Sequence, residues 1–130
     1  LISCSTNKTP KKSTYTCFPD ILGIEVYSNG KEFAWTVSST QETINFYFRS
    51  HFKFPKKLEI EFIEKNMIFE VQYLVNEFGK MTNIEMNKDS FPKHANIIQS
   101  FLESIPHFNL SEVDTETNYI YSITIGTRSI

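Results

Sequence analysis

From Met67 onward, apolar and polar residues alternate: Met67, Phe69, Val71, Tyr73 and Val75 share one parity, while Glu70 and Gln72 take the other. Successive side chains of a strand point to opposite faces, so this pattern predicts a half-buried strand over 67–75. Asn76-Glu77-Phe78-Gly79-Lys80 then supplies a short turn with a glycine, and Thr82–Met86 reads as the returning strand. Leu58-Glu59-Ile60-Glu61-Phe62 alternates in the same way and predicts a further strand. Upstream, Ile24–Tyr27 and Phe33–Val37 flank Ser28-Asn29-Gly30-Lys31. Asn-Gly suits the two left-handed central positions of a tight turn, so 21–37 reads as a hairpin. Two segments follow the helical period instead. Ser39-Thr40-Gln41-Glu42 has the form of a capping box before Ile44, Tyr47, Phe48, His51 and Phe52, predicting a helix over 40–52 that ends before Pro55. Pro92 to Ser104 carries Ile97, Ile98, Phe101, Leu102 and Ile105 as a stripe, with Pro106 as its stop. A β-rich segment, Tyr119–Ile125, follows, so the predicted order is β-β-α-β-β-β-α-β.

This mixture predicts an α+β domain: a small antiparallel sheet with two helices packed on it, preceded by an extra hairpin. A chain of 130 residues suits one domain, here 18–130, and is long enough to bury a core without a disulfide or metal. Twelve Phe, six Tyr and one Trp favour a core built on sheet. The formal net charge of −2 gives no basis for nucleic-acid binding. No apolar run approaches the roughly 20 residues of a membrane-spanning helix.

Residues 1–17 read as a tether. The opening Leu1-Ile2-Ser3-Cys4 resembles the lipobox of bacterial lipoproteins, with an apolar residue, a small residue and then Cys. That resemblance implies lipidation at Cys4 and an address in the bacterial cell envelope, facing the periplasm. The following Ser/Thr/Asn/Lys/Pro-rich stretch suits a flexible linker. Cys17 is the other cysteine. It reads either as a small buried thiol or as the partner of Cys4 in a disulfide, which an oxidising compartment would permit.

From Phe54 to Ile125 the chain resembles the C-terminal domain of TonB-type proteins. Phe54-Pro55 matches the aromatic-Pro pair, and Val71–Ile84 with its Gly79-Lys80 matches the hairpin. Ile105-Pro106-His107-Phe108 stands where that family has Met-Pro-Lys-Trp. The family's Gly before the first hairpin strand is missing, and Phe108 replaces the Trp. The resemblance implies recognition of a peptide or envelope protein by strand addition. In the family the accepting edge is the last strand, here Asn118, Tyr119, Ile120, Tyr121, Ser122, Ile123, Thr124 and Ile125, which carries no Pro, Lys or charge. The same lack of charge also suits an internal strand, or one covered by the Ile21–Val37 hairpin. For a TonB-like domain anchored at Cys4, reach argues against an energy-transducing role: the fourteen residues from Cys4 to Phe18 extend at most about 46 Å at about 3.3 Å each.

Chemistry is sparse. His51, His94 and His107 share no metal-ligand spacing with one another or with a carboxylate. Glu59, Glu61, Glu64 and Glu70 read as the wet face of a sheet, and no nucleophile elbow, phosphate loop or dinucleotide fingerprint occurs. The chain therefore reads as a non-enzyme without a cofactor. Lys8, Lys11 and Lys12 on the tether read as solubilising charge or as a basic stretch lying on anionic lipid, and Phe52 and Phe54 among Lys53, Lys56 and Lys57 read as core and cap, not a stacking platform. Two other functions compete with the binding module: a structural or inhibitor-like lipoprotein using the hairpin tip at Asn29-Gly30, and a small hydrolase or carrier with an aromatic pocket near His51 or Trp35.

Overall fold

A computed structural model describes residues 17–28, 31–32, 39–76, 78–106 and 119–129. Five antiparallel strands form one sheet in the order β2-β1-β5-β3-β4, and three helices pack on it. The strands are β1 (Cys17–Ser28), β2 (Lys31–Glu32), β3 (Phe69–Val75), β4 (Met81–Met86) and β5 (Tyr119–Ser129). The helices are α1 (Ser39–His51), α2 (Lys56–Glu64) and α3 (Pro92–Ser104). The α+β class, the antiparallel sheet and the N-terminal strand are as the sequence predicts.

Four local signals act where expected. Strand β3 buries Phe69, Val71, Tyr73 and Val75 and exposes Glu70 and Gln72. The turn into β4 is held by Asn76. Its side-chain oxygen accepts from the amides of Phe78 (2.9 Å) and Lys80 (3.0 Å), and Gly79 takes φ 77°, where a Cβ is strained. Helix α3 has Pro at its first turn and buries His94, Ala95, Ile98 and Leu102. In α1, Ile44 and Phe48 are buried four residues apart. Phe52, just past its end, stacks on Phe48 with ring centroids 4.6 Å apart.

The segment expected as a strand over 58–62 is the helix α2. Leu58 and Phe62 satisfy an i, i+4 spacing as well as a period of two, and Phe62 and Ile63 are both buried. Adjacent burial is incompatible with a two-faced strand. Pro55, extended at φ −52° and ψ 143°, precedes the first turn. Asn66 ends the helix in the left-handed region (φ 48°). There Met67 donates its amide to Phe62 O and Asn66 to Ile63 O, a Schellman closure. Glu59, Glu61 and Glu64 therefore lie on this helix, and of the four acids assigned to the sheet only Glu70 is there.

Strand β1 begins at Cys17, the residue placed last in the tether, and runs well upstream of the expected start. It pairs with β2 through Tyr27↔Glu32 and Ser28↔Lys31, which is a hairpin with two residues between the strands. The tip, Asn29-Gly30, and the whole of the expected second strand, Phe33–Val37, lie outside the described residues. The core joins the buried strand face to the helices. Phe48, Phe62, Ile98, Leu102, Val71 and Ile123 all belong to one buried cluster.

Candidate functional site

Strand β5, the expected accepting edge, is interior. It pairs with β1 from Cys17↔Ser129 to Ser28↔Tyr119, and with β3 from Phe69↔Ile125 to Tyr73↔Tyr121. The edge assigned to Tyr119, Ile120, Tyr121, Ser122, Ile123, Thr124 and Ile125 is thus corrected; Asn118 lies outside the described residues. The physical reason is the extra N-terminal strand, which occupies the side of β5 that a peptide would need. A stretch without charge from 119 to 125, with Tyr121, Ile123 and Ile125 buried on one parity, suits the middle of a sheet better than its rim.

Among the described residues the sheet has two one-sided stretches: β1 over 17–26, where β2 reaches only Tyr27 and Ser28, and β4, which pairs with β3 alone. Of the two, β4 has a groove beside it. Its register with β3 shifts between Gln72↔Glu85 and Leu74↔Thr82, so Asn83 and Ile84 together face Tyr73. Asn83 takes φ 51° at this bulge, a conformation that Asn tolerates better than most residues. Helix α3 lies alongside, and between the two runs a groove of about 320 Å³. Thr82, Asn83 and Ile84 form its strand wall, and Gln99 and Glu103 its helix wall. Lys80 closes one end: its Nζ donates to the carbonyls of Glu103 and Ile105, each at 3.3 Å. Those carbonyls stand at the C-terminus of α3, where helical acceptors lack partners and a cation is favoured.

The residues flagged as chemical candidates are dispersed. His51 is exposed rather than part of the buried stripe; its ring stacks on Tyr47 at 4.2 Å, and Nδ1 lies 3.1 Å from the Tyr47 carbonyl. His94 is buried among Phe54, Phe62 and Phe91, with Nε2 2.9 Å from the Leu58 carbonyl. That contact binds α3 to α2. His107 and Trp35 lie outside the described residues. No group of three His, Cys, Asp or Glu side chains among the described residues is placed to hold a metal ion. Cys17 is disulfide-bonded, which removes the buried-thiol alternative. The one other cysteine in the sequence, Cys4, lies outside the described residues.

Two buried polar features escape the sequence reading. Asp20, wholly inaccessible to solvent, accepts the amide of Ile21 (2.8 Å) and Arg49 Nε (3.3 Å) at Oδ1. At Oδ2 it accepts Arg49 Nη2 (3.0 Å) and Arg128 Nε (2.6 Å). Arg128 Nη2 also donates to Ile21 O at 3.0 Å. One carboxylate thereby ties β1, α1 and β5 together. The only sequence signal is an Asp inside the apolar run Phe18-Pro19-Asp20-Ile21-Leu22. The second feature is the buried hydroxyl of Tyr73, which donates to Gln41 Oε1. Burial first, and the neighbouring Tyr121 second, push its pKa well above the ordinary tyrosine range.

No helix among the described residues is long and apolar enough to cross a membrane. No family model, curated protein or solved structure matches the chain.

Proposed function

We propose that the domain is a binding module that accepts an extended peptide, or a strand of an envelope protein, along β4, and that it is not an enzyme. The observation that carries this reading is the one-sided pairing of β4 beside the α3 groove. Main-chain groups of an edge strand supply affinity for an added strand, and the adjacent groove supplies side-chain selectivity. The TonB-like resemblance of 54–125 implied the last strand as the accepting edge, so the proposal for β4 rests on the sheet topology alone. The groove is mixed, polar at Thr82, Asn83, Gln99 and Glu103 and apolar at Met81 and Ile84, which suits a segment with both kinds of side chain.

The working compartment we propose is the oxidising side of a bacterial envelope, facing the periplasm, and the disulfide at Cys17 supports it. A Cys4–Cys17 bridge and a lipid on Cys4 need the same sulfur and exclude each other. Intact-mass measurement of protein from its native membrane separates them: the lipid anchor adds the mass of acyl chains, and the bridge removes two hydrogens.

A second reading rests on the bulge at Asn83. Bulges blunt edge strands against pairing, and a blunted edge suits a structural lipoprotein. Selection of displayed random peptides on the protein, followed by amide NMR mapping, decides between the two. Strand addition requires shifts at residues 81–86 and loss of binding when alternate peptide nitrogens are methylated. Peptides that map elsewhere, or that tolerate methylation at every position, support the structural reading.

A further inference from the structure

The chain has two arginines, Arg49 and Arg128, against eleven lysines, and both converge on the same buried carboxylate. The oxygens of Asp20 already accept four hydrogen bonds, which is the full capacity of a carboxylate. Two guanidinium charges against one carboxylate charge leave one positive charge over. The arginine side chains are 54 % and 42 % exposed, so that excess faces water. Arg49 uses Nε and Nη2 on Asp20, while Arg128 uses Nε on Asp20 and Nη2 on Ile21 O. The Nη1 groups of both make no hydrogen bond among the described residues. Asp20 therefore holds two forks side by side, with their order already imposed and their outer donors unspent.

We propose that Arg49 and Arg128 together form a binding site for a phosphate group. A phosphate presents three terminal oxygens and so can bridge two forks, and guanidinium geometry matches it where lysine would offer only a point charge. The site lies on the Asp20 cluster and involves no residue of the β4 groove, so it stands or falls separately from peptide binding. The phosphate comes either from solution or from the headgroup of an anionic lipid.

The test uses the full chain, isotope-labelled. With two arginines in the sequence, the two Nε–Hε signals report the site directly. Titration with inorganic phosphate, at ionic strength held constant with chloride, is expected to move both signals with half-saturation at roughly 1–10 mM, as suits partly exposed, screened contacts. Arg49→Gln keeps Asp20 paired with Arg128 and Ile21 while removing the excess charge; it is expected to abolish the shift of the remaining signal at an unchanged circular dichroism spectrum. Arg49→Lys, which keeps charge without the fork, is expected to weaken half-saturation at least about fivefold. Co-sedimentation with phosphatidylglycerol vesicles, absent with phosphatidylcholine and lost in Arg49→Gln, assigns the phosphate to a lipid. Saturable phosphate shifts without sedimentation assign it to a soluble ligand. Signals that do not move with phosphate, or that move equally in Arg49→Gln, overturn the proposal.

Discussion

The Asp20 cluster makes a quantitative prediction about redundancy. Either arginine alone can neutralise the carboxylate, because each bonds it directly. Replacing Arg49 by Gln removes a guanidinium that is 54 % exposed. With solvent screening it is expected to cost about 1 kcal/mol. Replacing Arg128 by Gln costs about the same, with a small addition for the lost bond to Ile21 O. The double replacement differs in kind. It leaves Asp20, with no solvent exposure, holding a charge against one backbone amide, and stranding a buried charge costs about 3–5 kcal/mol. The singles therefore sum to less than the double, by an interaction of about 1–3 kcal/mol. Urea unfolding followed by circular dichroism measures all three, with a constant slope confirming a shared unfolded state. Adding Asp20→Asn to the double variant is expected to recover part of the loss, since no buried charge remains. Additivity of the two arginine changes within about 0.5 kcal/mol, or further loss on adding Asp20→Asn, would refute the redundancy.

Other consequences are simpler. Tyr73 titrates later in the folded chain than in the unfolded one, so above about pH 10 the folded state holds the extra proton. Its contribution is intact below that pH and falls as pH rises, by about 1.4 kcal/mol per unit at most; alkaline unfolding of Tyr73→Phe should lack that part of the slope. Gly79→Ala places a Cβ at φ 77° and is expected to cost about 1 kcal/mol by thermal unfolding, without altering the core. Ile123→Ala, at the centre of the sheet with no exposure, is expected to cost about 2–5 kcal/mol in the same assay.

Elements whose signals are local were legible in the sequence. The β3–β4 hairpin needed only alternation and a turn with Gly79, and α3 needed only Pro92, Pro106 and a stripe between them. Helix α2 was not, because Leu58, Ile60 and Phe62 obey alternation while Leu58 and Phe62 also obey the helical spacing. Ile63, buried beside Phe62, was the discriminating residue. The place of β5 was legible only in part: the absence of charge over 119–125 suits an interior strand as well as an edge, and does not name the partner. Strand order depends on which distant segment reaches which edge, and nothing in Tyr119–Ile125 states that Cys17–Ser28 will pair with it. The candidate site shares part of that fate: β4 is an edge with or without β1, but only the pairing of β1 with β5 removes the last strand as its competitor. The arginines of the Asp20 cluster, 29 and 108 positions from it, carried no periodic signal at all.

The position of β5 also bears on how the domain is made. Cys17 and Ser129 are cross-strand partners 112 positions apart, and β1 and β3 meet only through β5. While the ribosome is still producing the stretch after Ser104, β1 has no long partner and the β3–β4 hairpin stands without its second neighbour. Two-stranded pieces are marginal in water on their own. Sheet closure must therefore wait until nearly all of these residues have emerged, and such distant pairings make folding slow. Until β5 emerges, a nascent chain of this design holds β1 and the β3–β4 hairpin as separate pieces with no sheet between them.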